Sequence, residues 1–408
     1  MGVVSRATIK VKAHAAAATH RWPARKLQTI VISGQDGGEV TAVCLAHILQ
    51  RNGSKVGIIT ANFIEIGGER ANGSDQADVL GDPFRLHGLL AQMRAASCEF
   101  AIIHLSQGMP RHHFAGIVPI LAIQRRCGDV HLSEPANAAR RAGWNKVLGM
   151  HPRQIVLNRD DVCYEKPQQR EDTSITFGTN EKADCRVIRV AMHPQGSEVT
   201  VLIDHQTELT FVTELTGKTA IYSIVAAVSA AYLLHVSVEV IENGVQNMAD
   251  SYKGLAEYLP VQRPYHVVLD TNFTPEGIDE TLETLKHFTK NRLVAVVGAH
   301  LSQPASWRPI IGEVVARRAD RILVTDGEYG PEESPQTVRK QLLDGIVAAG
   351  ADPKAEEVAE RQAALEKVIS IARRNDTLVI LASTKRPYRQ TGNEHLTWSD
   401  AKQLEGLL

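Results

Sequence analysis

Apolar and polar positions along the chain follow two alternating periods. Short, nearly continuous apolar runs, TIVISG (29–34), KVGIIT (55–60) and FAIIHL (100–105), have the length and composition of buried strands. Between them, TAVCLAHILQRNG (41–53) and PFRLHGLLAQMRAASC (83–98) carry apolar residues at helical spacing, the first stopping at Gly53. QIVLN (154–158) predicts another strand. The stretch 186–215 alternates with period two, and turn residues at Pro194–Gly196 and Asp204–Gln206 predict antiparallel hairpins. TAIYSIVAAVSAAYLLHV (219–236) is apolar on most faces and predicts a buried helix.

The pattern breaks over Tyr252–Arg263 and then restarts. YHVVLD (265–270), RLVAVVG (292–298), RILVTD (321–326) and TLVILAS (377–383) read as strands. Helices are expected at 277–290, 310–320, 338–350 and around 356–374. This predicts a basic helical lead-in (1–28), a first α/β unit (29–255) and a second (262–408). Strands alternating with helices imply mainly parallel sheets, with ligands held beyond the carboxyl ends of strands.

Composition narrows the classes. A net charge of −1 gives no global field for nucleic acid or an anionic membrane. No apolar run approaches the ~20 residues of a membrane span. The basic segment Met1–Arg25 contains AHAAAA, too short and too interrupted for a secretory signal, so a cytoplasmic location is expected. Five cysteines, Cys44, Cys98, Cys127, Cys163 and Cys185, are odd in number and without a CxxC pair. They predict buried thiols, with neither a disulfide framework nor a structural zinc site. His112, His113 and His131 suggest a metal, but adjacent histidines point apart, so no metal is expected there.

One stretch carries chemistry. VISGQDGGEVTA (31–42) runs from a strand through three glycines into a helix, which is the outline of a phosphate-binding loop. Asp36-Gly37-Gly38 would equally suit a plain turn.

That loop and the layout around it resemble the Mur ligases, most closely their UDP-N-acetylmuramoyl-tripeptide synthetase (MurE-like) type. WPARKLQTIVISGQDGG is similar to the entry into that family's GTNGKTT loop, and IVLNRDD to its LNxDD turn. LTGKTAIYSIVAAVSAAYLL resembles the helix that follows. VVLDTNFTPEGIDETLETL looks like its DYAHTP segment, and TWSDAKQLEGLL like its closing motif. The resemblance spans nearly the whole chain from about Ala13. It implies a central P-loop-type domain with a mainly parallel sheet and a C-terminal Rossmann-like α/β domain, the usual N-terminal uridine-nucleotide domain being absent or cut to about 28 residues. It also implies an ancestral reaction in which ATP and Mg²⁺ activate a carboxylate that an amine then attacks.

Residue by residue, the resemblance lays the loop on Gly34, Gln35, Asp36, Gly37, Gly38, Glu39, Val40 and Thr41. Gly38 replaces the phosphate lysine and Glu39 the metal-binding hydroxyl. The metal-binding glutamate falls on His104, a threonine–asparagine pair on Gln124–Arg125, and an acidic–histidine pair near Gly128–Asp129. The modified lysine falls on Arg140 or Arg141. RRC (125–127) and RR (140–141) are read as solvated surface arginines, or as an anion site that needs no metal. The histidine of DYAHTP falls on Phe273, and the amino-acid-selecting DNPR on Gly327–Gly330, without its arginine. GRxE and GKGHE fall on 254–257 and 383–387. Asn158, Asp161, Lys218, Asp270 and Arg308 are relics with structural uses. Phosphoryl transfer is nearly all positioning and charge neutralisation, and the missing groups are those charges. The sequence therefore predicts a non-catalytic homologue with no confident cofactor or metal. It would act by binding an active Mur ligase, a cell-wall precursor or another cytoplasmic protein, not nucleic acid or a membrane. The alternative is a working ATP- and Mg²⁺-dependent ligase with a rearranged site on Asp36, Glu39 and Asp129; a third reading is a structural subunit.

Overall fold

The computed structural model describes residues 3–70, 79–105, 114, 116–165, 174–246, 248, 256–383 and 388–408, with side chains from residue 11 onward except 352. The chain opens with α1 (Val3–Thr19), β1 (Gln28–Gly34), α2 (Gly38–Arg51), β2 (Val56–Ile59), β3 (Ile64–Ile66) and β4 (Glu69–Arg70). It continues through α3 (Pro83–Ala95), β5 (Phe100–Leu105), β6 (Leu121–Arg126), α4 (Glu134–Leu148), β7 (Gln154–Asn158) and β8 (Ser174–Gly178). β9 (Cys185–His193), β10 (Gly196–Ile203), β11 (Thr207–Thr213), α5 (Lys218–Leu233) and α6 (Val238–Gln246) complete the first unit.

These strands form one sheet in the order β11-β10-β9-β8-β7-β6-β1-β5-β2-β3-β4. The middle is parallel, and antiparallel hairpins extend both edges. β1 lies between β5 and β6, so strand order reverses beside its carboxyl end, the place where open α/β sheets bind ligands. One face is covered by α2, α5 and α6, and α5 is buried from Thr219 through Ala231. The other is covered by α3 and α4, with Leu86, Leu90, Trp144 and Val147 in the core. The lead-in helix α1 lies on α3 and buries Ala13, Ala16 and Ala17.

The second unit comprises β12 (Ala256–Tyr258), β13 (His266–Asp270), α7 (Pro275–Phe288), β14 (Leu293–Val297), α8 (Arg308–Arg318), β15 (Arg321–Val324) and α9 (Pro335–Ala348). β16 (Ala355–Glu357), α10 (Arg361–Ser370), β17 (Thr377–Ile380), the hairpin β18 (Tyr388–Thr391) and β19 (Glu394–Thr397), and α11 (Asp400–Glu405) follow. Its sheet runs β12-β13-β17-β14-β15-β16, parallel apart from β12. α7 starts where Thr274 accepts a hydrogen bond from the Gly277 N–H and Pro275 takes the first helical position.

Two helices differ from expectation. The 83–98 helix stops at Ala95 because Ser97 turns left-handed (φ 61°). The 356–374 segment begins as a strand, since Ala355–Glu357 pairs with the open edge of β15, and its helix starts only at Arg361.

α8 and α9 pack backbone to backbone: a Cβ on Gly345 would overlap the Pro309 carbonyl, and one on Gly312 the Leu342 carbonyl. Helix propensity alone favours Gly345→Ala by about 1 kcal/mol. Overpacking costs about 1–3 kcal/mol and has carbonyl backbone, not a flexible side chain, to push against. Urea denaturation of Gly345→Ala should therefore show net destabilisation, and a stabilised variant would contradict this packing.

Candidate functional site

The loop between β1 and α2 occupies the switch point. Gly34 (φ 143°) and Gly37 (φ 81°) adopt left-handed backbone that other residues resist, and Gly37 caps α2. Thr41 Oγ1 donates within the fold, contacting Gly37 O at 3.2 Å and Ser223 O at 3.0 Å.

Side chains from neighbouring strands cover the loop. Arg125, at the end of β6, is fully buried, and its Nε and Cζ lie 3.0 and 3.1 Å from where a Gly37 Cβ would stand. None of its three guanidinium nitrogens has a hydrogen-bond partner among the described residues. Burial, with Arg126 beside it, pulls Arg125 down to about 10, although Glu280, Asp36 and Glu276 oppose this. His104, on β5, lies over the first turn of α2, where a Cβ on Gly38 would overlap its ring. His104 Nε2 lies 2.9 Å from Gly34 O, which can only accept, so Nε2 carries the proton. Burial holds this imidazole below its ordinary value, against the pull of Glu39.

The loop is also joined to the second unit. Asp36 accepts hydrogen bonds from Thr274 Oγ1 and, at 3.3 Å, from the Phe273 N–H. Arg126 Nη2 donates to Glu280 Oε1 at 2.8 Å, and its Nη1 stands 3.6 Å from Glu276 Oε2. Lys218 Nζ and Thr219 Oγ1 reach the same Glu280 at 3.2 and 2.6 Å. Asp129 accepts from the Glu276 N–H and stands 3.5 Å from Arg140 Nη1. His131 Nε2 meets Asp279 at 3.2 Å. Burial raises Glu276; for Glu280, burial is outweighed by Arg126, Lys218 and Thr219, which hold it below its ordinary value.

Beside the loop is a cavity of about 310 Å³ between Gln35, Arg126, the inner face of α4 and Trp307 of the second unit.

The Mur ligase middle domain family matches residues 32–231, and the family described as "Mur ligase, glutamate ligase domain" matches residues 256–384. The chain belongs to the Mur ligase family. It is similar, at 23% identity over 390 residues (95% of this chain, 79% of the relative), to the UDP-N-acetylmuramoyl-L-alanyl-D-glutamate–2,6-diaminopimelate ligase of Clostridium botulinum. A UDP-N-acetylmuramyl-tripeptide synthetase 2 of Oceanobacillus iheyensis is 24% identical, covering 97% of this chain and 80% of the relative. Among solved structures, a folylpolyglutamate synthase of Mycobacterium tuberculosis complexed with ADP and AMPPCP superposes with TM-score 0.71 at 14% identity, covering 91% and 92% of the two chains. A UDP-N-acetylmuramoyl-L-alanyl-D-glutamate–2,6-diaminopimelate ligase superposes with TM-score 0.61 at 18% identity, covering 98% and 82%. At these identities the structures speak for the fold alone.

Within the family's site, the expectation of solvated arginines needs correction. Arg125 and Arg126 are buried, and the Arg140 side chain is only 6% exposed. Arg141 alone lies nearer solvent, reaching Glu134 at 2.8 Å. Arg126 meets the α7 carboxylates Glu280 and Glu276, and Arg140 faces Asp129 after β6, whereas Arg125 is buried without a hydrogen-bond partner among the described residues.

The expected residues do not form one constellation. Gly34, Gln35, Asp36, Gly37, Gly38, Glu39, His104 and Lys218 surround the loop. Asp129 and Arg140 meet each other across the start of α4. Asn158 Nδ2 donates to Arg125 O at 2.9 Å, fixing the backbone behind the guanidinium. Asp161 accepts from the N–H groups of Cys127, Gly128 and Cys163, bringing both thiols near its carboxylate. With those oxygens so engaged and burial raising both thiols, the trio works as a turn cap. Asp270 is buried, accepts from Asn272, and is pushed well above the usual carboxylate range by burial. Arg308 is in an ion pair with Glu333 at 2.6 Å. Residues 254–255, 384–387 and His112–His113 lie outside the described residues.

Sequence reasoning missed Glu276, Asp279, Glu280 and Trp307. A signal existed in the acidic spacing of α7, which matches the basic cluster near β6 in size and opposes it in sign.

Two predictions follow from the joint. Glu280→Ala leaves a buried Arg126 with only the longer Glu276 contact, and breaking one side of a buried pair costs about 3–5 kcal/mol. Arg126→Met/Glu280→Met should recover most of that in denaturant melts. His131 is held above its ordinary value chiefly by its hydrogen bond to Asp279. Its contribution is complete below the unfolded value of about 6.5 and is lost as pH rises through the raised folded value. The melting-temperature difference between wild type and His131→Ala should therefore be largest near pH 5.5 and shrink by pH 9; a constant difference would contradict it.

Proposed function

We propose that this chain is a non-catalytic member of the Mur ligase family that acts in the cytoplasm by binding, its partner being a cell-wall precursor or an active Mur ligase. The observation that carries this reading is that the chain's own side chains fill its phosphate loop. Arg125 lies against Gly37 and His104 covers Gly38, where a nucleotide's outer phosphates and the lysine that grips them would need room. Mg²⁺ and ATP do not fit the residues present. His104 offers an imidazole, a poor Mg²⁺ ligand, with its Nε2 engaged by Gly34 O, and Glu39 in the first turn of α2 adds negative charge where a polyanion would lie. Each lost charge-assisted hydrogen bond removes about 1.5–3 kcal/mol, so two take a micromolar site to about the millimolar range.

The alternative, a rearranged ligase, needs Asp36, Glu39 and Asp129 on one metal. Asp36 is instead engaged with Thr274 and Phe273, and Asp129 with the N–H groups of His131 and Glu276. These contacts favour the binding reading.

Calorimetry with ATP, with and without Mg²⁺, tests it. The wild type should show no binding at micromolar concentrations, and Mg²⁺-dependent micromolar binding would overturn the proposal. Gly38→Lys alone should destabilise the fold through the His104 ring. Recovery of nucleotide binding requires Gly38→Lys together with His104→Glu and Arg125→Asn.

A further inference from the structure

The lining of the cavity beside the loop is mixed. Gln35 is 7% exposed, yet neither its amide oxygen nor its amide nitrogen has a hydrogen-bond partner among the described residues. Arg140 stands over the Trp307 ring at 5.7 Å, and its two terminal nitrogens make no hydrogen bond among the described residues. Its separation from Asp129, 3.5 Å, exceeds the ~2.7–2.9 Å of a charge-assisted bond. Lys146, one helical turn and a half further along α4, is exposed on the same lining without an ion-pair partner among the described residues. The same lining is apolar at Val147, Met150 and Trp307, all buried.

Buried polar atoms are normally paired, and unmade bonds on a guanidinium and an amide facing one space call for an acceptor. Arg126 also lines the cavity; its Nη2 donates to Glu280, while its Nη1, 3.6 Å from Glu276, makes no hydrogen bond among the described residues. An acceptor in this space therefore meets Arg140 and Gln35, with Arg126 Nη1 and Lys146 adding positive charge. A volume of about 310 Å³ is at the small end for ligand pockets, roughly 300–1,000 Å³. We infer that this cavity is a metal-independent site for a carboxylate carried on a compact apolar body, of the size of one aromatic amino-acid derivative. The inference rests on the binding reading above and gives it a ligand class. The carboxylate accepts from Arg140 and the Gln35 amide, Lys146 adds charge at the mouth, and the body lies against Trp307, Val147 and Met150. No divalent ion takes part, because the cationic side chains do its work.

The test is calorimetry of the full chain with 2-naphthaleneacetate as probe, 2-naphthaleneacetamide as its neutral counterpart, and EDTA throughout. The expected result is saturable one-to-one binding of the acid, at least about tenfold tighter than the amide. Lys146→Glu, an exposed change that leaves the melting temperature in place, should weaken the acid about tenfold, and Val147→Trp should abolish binding by filling the space. Equal binding of acid and amide, binding of neither up to millimolar concentration, or indifference to Lys146→Glu would overturn the inference. The same samples titrated with ATP and Mg²⁺ separate the two failures. Loss of probe binding without nucleotide binding removes only the cavity ligand, whereas nucleotide binding removes the non-catalytic reading beneath it.

Discussion

A buried guanidinium and a buried carboxylate join the two halves of the molecule, Arg126 of the first unit meeting Glu280 of the second. The pair with Glu280, both side chains 5–6% exposed, is the point on which the two units meet. Removing two charges from water is expensive, and their attraction offsets it only when remaining donors are also satisfied. Thr219 and Lys218 add donors to Glu280, and Glu276 brings a second negative charge to 3.6 Å from Arg126 Nη1. Asp36 in the loop, Asp129 after β6 and His131 add further contacts to the same helix or its cap, so α7 is held at its N-terminal end.

The second unit's own design makes this possible. Thr274 does two jobs: its oxygen accepts from the Gly277 N–H to start α7, while its hydroxyl proton goes to Asp36. One side chain thereby sets both where the helix begins and where it sits against the loop. Its partner Asp36 lies in a turn whose shape depends on Gly34 and Gly37, so backbone freedom in one unit positions a helix in the other.

Much of the fold was legible from periodicity. The strands of the parallel core, the hairpins over 185–213 and the all-round apolar α5 followed from spacing and turn residues. What stayed hidden was long-range. Nothing local tells RRC at 125–127 from a solvated basic patch, because its neutralising partner Glu280 lies 154 residues beyond Arg126. The strand at 355–357 was hidden for a similar reason: AEE has little strand propensity and pairs only because β15 offers an open edge. At the candidate site, the glycine loop beside the carboxyl end of β1 was legible as a turn between strand and helix. That Arg125 and His104 lie on the loop itself was not, since it depends on the register of β5 and β6 against β1.

That register couples positions 38 and 104. The space over residue 38 holds either a side chain of its own or the imidazole, not both. A lysine at 38 would collide with the ring, so a longer side chain there needs residue 104 to give way. The first turn of α2 and the end of β5 therefore vary as one unit, and the effect of a substitution at either position is set by the residue at the other.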